Sequence, residues 1–139
     1  MHSIAKVAAI AAGLAAAAFA VPAAAQDDAE MTEGEAELAE ILEGRIAGEP
    51  VNCLSSMQRD RIQTIDETAF VFRDGDTIYV NRPRGARFID DFDLPVFRQF
   101  SSHLCRLDQV EMRDRTSGIP GPRVVLEEFV PYRKAPTEG

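Results

Sequence analysis

Histidine and cysteine are scarce in this 139-residue chain, which holds two of each. A zinc centre of the usual four-ligand kind therefore lacks ligands. No Cys-x-x-Cys pair is present to run thiol–disulfide chemistry. The sequence also lacks a Gly-x-Ser-x-Gly nucleophile elbow, a glycine-rich phosphate cradle and a twelve-residue calcium loop closed by glutamate. Paired carboxylates for bond cleavage cannot be read either, because Glu127 and Glu128 are neighbours and a strand would send them to opposite faces. Basic charge is in deficit, with 15 Lys and Arg against 23 Asp and Glu. Nucleic acid and anionic lipid surfaces ask for the opposite balance, so neither is expected as a partner.

What is present is most informative at the N-terminus. One lysine, Lys6, precedes an alanine-rich apolar run from Val7 to Val21. Ala23-Ala24-Ala25 then offers a small-x-small cleavage pattern before the polar Gln26-Asp27-Asp28. This is the layout of a secretory signal peptide, residues 1–25. A spanning helix needs about twenty strongly apolar residues, and this run has fifteen. Cleavage is therefore expected, with a periplasmic or secreted product of 114 residues and no stable membrane insertion. Export also governs the cysteines. Cys53 and Cys105 are the only two, and an oxidising compartment predicts that they join.

The acidity is local. Residues 26–49 carry nine acids and one base, whereas residues 50–139 carry fourteen acids and thirteen bases. Within the acidic leader, 26–43, Thr32 and Glu35 fit a capping box. Leu38, Ile41 and Leu42 form one narrow apolar stripe, and Gly44 stands where a helix would stop. A short helix over 33–43 follows, and it must dock or fray. Residues 45–50 read as a turn-rich connection, and 57–65 are ambiguous, with Ile62 and Ile65 at helical spacing. Ala69–Arg73 and Thr77–Asn81 are rich in β-branched and aromatic residues around Asp74-Gly75, which predicts a hairpin. Phe70 and Phe72 should share one face, as should Ile78 and Val80. Further strands are predicted over 94–100, 104–112 and 123–130, with a frayed tail at 134–139. The fold class is mainly β with one helix (α+β). The expected architecture for 44–133 is one domain, a small antiparallel sheet curled into a barrel or half-barrel, with an open sandwich as the alternative.

Several side chains invite chemistry. His103 is the one histidine outside the leader, and at two residues from Cys105 it should share that cysteine's strand face. It reads as a partly buried, hydrogen-bonded histidine beside the bridge. The sharper alternative is a small hydrolase using His103 with Ser101 or Ser102. Asp90, Asp91 and Asp93, with Asp74 and Asp76 as a thinner pair, could offer oxygens to calcium but are too few for a calcium loop. Arg82, Arg84 and Arg87 form a basic knot whose forks suit carboxylate or phosphate. They would either pair internally, with the three aspartates or the acidic helix, or meet an anionic partner. No catalytic residue, metal or cofactor is assigned.

Three stretches carry a resemblance: Gly44–Cys53, Tyr79–Ala86 and Glu128–Tyr132. They resemble signature stretches of an uncharacterised family of small exported proteobacterial proteins, a domain of unknown function with two cysteines. The likeness spans roughly residues 44–133. It implies an exported β domain with paired cysteines and no assigned activity. The functional expectation is a non-enzymatic binding module contacting an envelope protein or a small anionic ligand, with the 82–93 loop as contact surface. A small-molecule carrier is a further alternative.

Overall fold

The computed structural model describes residues 30–59 and 61–137. The expected signal peptide and the first residues of the leader lie outside that range. Within it the chain is mainly β, with a single α-helix, α1 (Glu33–Ile41), among the described residues. The strands are β1 (Arg45–Ala47), β2 (Cys53–Leu54), β3 (Arg61–Ile65), β4 (Ala69–Asp74), β5 (Thr77–Asn81), β6 (Leu94–Arg98), β7 (Leu104–Cys105), β8 (Gln109–Arg113), β9 (Pro120–Val125) and β10 (Phe129–Lys134). All pairings are antiparallel, in three sheets ordered β1-β10-β5-β4-β3, β6-β8-β9 and β2-β7. None of the three closes on itself, so the architecture is one of open sheets.

The five-stranded sheet is buried on both faces, and strand alternation explains how. From β4, Phe70 and Phe72 turn one way and Ala69 and Val71 the other, and all four are fully buried. The first face meets the three-stranded sheet in a core of Phe70, Phe72, Tyr79, Phe129, Val110, Met112 and Val124, joined by Leu54 and Leu104 of the small sheet. Phe97 of β6 bridges the sheets, edge-on to Phe70 at 5.7 Å between ring centroids. The second face, Val71, Ile78 and Val80 with Ile65 and Ala69, is covered by Leu38 of α1, flanked by Ile41 and Leu42. The helix therefore docks, and its stripe supplies the contact. Thr32 caps it, its hydroxyl accepting from the Glu35 N–H at 3.2 Å.

The expected 74–75 hairpin forms, with Asp74 opposite Thr77 and Gly75 at φ +54°. Elsewhere tertiary pairing overrides local signals. Residues 45–47, expected as a connection, are an edge strand on β10. The ambiguous 57–65 stretch holds a 3-10 turn at Met57–Arg59 and then strand β3, paired residue by residue with β4. The predicted 104–112 strand is interrupted at residues 106–108, where Leu107 has φ +75° and the Asp108 carboxylate accepts from the Cys105 N–H at 2.8 Å. The predicted 123–130 strand is two strands, because the chain changes sheets at Leu126–Glu128. The Asn81 side chain holds that crossing, donating to the Glu127 carbonyl at 2.6 Å and accepting from its N–H at 3.1 Å. Residues 134 and 135, expected to belong to a frayed tail, are tied to the sheet edge: Lys134 pairs with Arg45 and the Ala135 N–H donates to the Gly44 carbonyl at 3.0 Å.

Candidate functional site

The 82–93 loop leaves β5 and is tied down along its length. Arg84 exchanges two backbone bonds with Val125, at 2.9 and 3.2 Å. Gly85, at φ +84°, starts a 3-10 turn over Ala86–Phe88. Ile89 is buried, and its carbonyl accepts from the Glu67 N–H at 2.9 Å. These ties separate the fates of the three arginines. Arg82 forks onto the Glu35 carboxylate of α1 at 2.5 and 3.1 Å. Arg84 pairs with Glu127 at 2.5 Å, a carboxylate shared with Arg106 at 3.4 Å. Arg87 remains at the surface with its guanidinium 4.6 Å above the Phe88 ring. Two of the three thus pair internally, one with the acidic helix and one with Glu127, which was not among the expected partners. Asp90, Asp91 and Asp93 partner none of them.

Instead Asp90 and Asp91 meet Asp66 of the β3–β4 turn, with carboxylate oxygens of all three within 4.8 Å of one another. All three are exposed, and three carboxylates fall short of the six to eight oxygens that calcium takes. The Asp93 carboxyl is pushed above its ordinary range by desolvation first and then by the like charges of Asp90 and Asp114. Asp74 and Asp76 flank the hairpin turn.

Cys53 and Cys105 are bonded, and they stand directly opposite one another in the β2–β7 pair. The bridge lies on the outer side, because Leu54 and Leu104 take the inward positions. His103 follows the same alternation and is exposed, which corrects the expectation of a partly buried ring. Its Nδ1 lies 3.1 Å from the Ser102 hydroxyl, while the Ser101 hydroxyl donates to the His103 carbonyl at 3.0 Å. No cavity forms among the described residues, so nothing encloses a substrate beside this imidazole.

The most concentrated charge lies where the sequence drew no attention. On β8, Val110 and Met112 face the core, so Glu111 and Arg113 face outward. Glu111 is nonetheless only 2% exposed, because three guanidiniums cover it. Arg113 reaches it at 2.5 Å, Arg123 at 3.2 and 3.3 Å, and Arg98 at 3.5 Å. The signal existed: alternation in Gln109–Arg113 puts Glu111 and Arg113 on one face. What was missing was the register that brings Arg123 opposite Glu111 and Arg98 one step away.

These contacts set a pH dependence. The Glu35 carboxyl is lowered chiefly by its Arg82 hydrogen bond, Glu111 chiefly by Arg113, and Asp114 chiefly by the Ser117 N–H. A carboxyl whose folded pKa lies below its unfolded value stabilises the fold above the unfolded value, near ~4, and loses that contribution as pH falls through the folded value. Thermal unfolding is therefore expected to be flat from pH 7 to about 5 and to fall progressively below about 4. Glu35→Gln with Glu111→Gln should flatten that acid limb.

Comparison of the chain with protein-family models, curated proteins and solved structures yields no match. No helix among the described residues is long and apolar enough to cross a membrane.

Proposed function

We propose that this chain is a non-enzymatic exported binding module, stapled by one disulfide, that contacts another envelope protein through the 82–93 loop. The observation carrying this reading is the contrast within that loop. Arg82 and Arg84 are consumed by internal pairs, whereas Arg87 stacks on Phe88, which is 44% exposed, and Phe92 on the same loop is 55% exposed. Arginine and aromatic side chains are the residue types that anchor protein interfaces. The backbone ties of Arg84 and Ile89 hold the loop in one conformation, so binding loses little ordering entropy. The leader-like N-terminus and the resemblance to an exported family support the same compartment.

Substitution should separate scaffold from surface. Arg84→Glu places like charge beside Glu127 and is expected to lower stability by about 0.5–1 kcal/mol. Arg87→Glu should leave the melting temperature unchanged and abolish partner capture. The measurement is in-cell photocrosslinking with the probe at position 88 or 92, and at 76 as control. One reproducible adduct is expected from 88 or 92 only, and it should be lost with Arg87→Glu. Equal adducts from 76, or none from the loop, would overturn the reading.

A further inference from the structure

We propose that the outer face of the β6-β8-β9 sheet is a binding site for a phosphate monoester dianion, built by Arg98, Arg113 and Arg123 around Glu111. Three guanidiniums meet a single carboxylate there, which leaves two positive charges uncompensated on a chain whose overall charge is −8. The carboxylate cannot occupy the donors offered to it. Each guanidinium brings about five N–H groups, whereas one carboxylate accepts about four bonds. Arg98 and Arg123 also keep 51% and 58% of their side-chain surface open to solvent, so their unused edges face outward. Arg113 has a buried Nε without a hydrogen-bond partner. Its Nη2 donates to Glu111 at 2.5 Å, and the Nε–H on that same edge is left without an acceptor.

Glu111 holds the cluster together without discharging it. It draws the three forks to one point, and strand pairing sets their spacing, with Arg123 directly opposite Glu111 and Arg98 paired to Gln109 beside it. A planar fork matches phosphate oxygens two at a time. A phosphate monoester carries close to two negative charges at neutral pH, which equals the surplus. A single carboxylate would leave one positive charge unmatched. The site is independent of the 82–93 loop, and its failure would leave the loop proposal standing.

The test is a titration of the mature, disulfide-bonded protein with inorganic phosphate, followed by the arginine Nε–H resonances in NMR, with sodium chloride matched for ionic strength. Saturable shifts are expected at Arg98, Arg113 and Arg123, with Arg82 and Arg84 still. Arg98 makes the longest contact with Glu111, so Arg98→Gln is the variant that spares the fold. It should weaken binding by at least about fivefold, as should Arg123→Gln, through loss of one charge-assisted fork. Sedimentation with vesicles of phosphatidic acid in phosphatidylcholine separates the sources. Pelleting that Arg98→Gln abolishes assigns a lipid headgroup, and phosphate binding without pelleting assigns a soluble ester. Shifts that do not saturate, that chloride reproduces, or that survive both substitutions overturn the site.

Discussion

Replacing both cysteines, Cys53→Ala with Cys105→Ala, is expected to be the most damaging change available to this domain. The bridge joins residues 52 apart in sequence. Closing a loop of that length in the unfolded chain is worth ~4 kcal/mol in the chain-entropy account. The net stability of a small domain is ~5–15 kcal/mol, so the loss is a large fraction of the whole. At about 4–8 °C per kcal/mol for a domain of this size, the midpoint should drop by roughly 15–30 °C. The location of the bridge explains why hydrogen bonding will not compensate. β2 and β7 are two residues each and form a sheet of their own, so beyond the bridge and the inward Leu54 and Leu104 their register rests on a short ladder, extended by the Arg106 N–H donating to the Asn52 carbonyl at 2.7 Å. Denaturant unfolding with and without reductant measures this. Coincident curves would show that the bridge is ornamental.

Gly34→Ala is expected to invert the ordinary helix rule. Alanine in a helix is usually favoured over glycine by about 1 kcal/mol. Here a Cβ on residue 34 would lie 2.1 Å from the Thr68 hydroxyl oxygen and 2.4 Å from the Asp66 carbonyl oxygen. The carbonyl is backbone, and Thr68 is itself buried and donates to it at 2.7 Å, so neither can retreat without opening the β3–β4 turn. The helix must lift instead, exposing Leu38 and the apolar face formed by Val71, Ile78 and Val80. Uncovering one leucine alone costs ~1.5–3 kcal/mol, so a net destabilisation of about 2–4 kcal/mol is expected. Hydrogen exchange should quicken in α1 while β8 and β9 stay protected. Adding Thr68→Ala should restore only part, since the backbone clash persists. A Gly34→Ala protein that melts at or above the parent temperature would show that the helix is not seated against this turn.

How much of this was legible beforehand follows from where the forces act. The 74–75 hairpin was readable because its turn residues, its β-branched content and the shared faces of Phe70 with Phe72 and Ile78 with Val80 all agree locally. The capped helix was readable for the same reason, except that Glu35 spends its carboxylate on Arg82 rather than on the helix N-terminus. The cysteine pairing was readable from the even count and the leader-like N-terminus, and the bond is present. Strands β1 and β3 were not, because each sits at a sheet edge with much of its surface in water. The exposure of Ile46 and Ile62 removes the alternation that marks a strand. The split into β9 and β10 was hidden because the crossing between sheets is held by Asn81, some forty-six residues away. Charge clusters were the least legible. Arg84 finding Glu127, and Arg98 and Arg123 finding Glu111, depend on register between distant strands. The arginine knot was visible as a sequence run, but only folding separates the paired Arg82 and Arg84 from Arg87 at the surface.

The central claim is that the chain is exported and that its two sulfurs join to set the scaffold on which the loop is presented. Intact mass of the protein recovered from its own cells, denatured without reductant, tests this most directly. The expected species begins near Gln26, lacks two hydrogens relative to the reduced chain and takes up no thiol-alkylating reagent until reduced. A species that retains Met1 and is alkylated at both Cys53 and Cys105 without reduction would contradict the account.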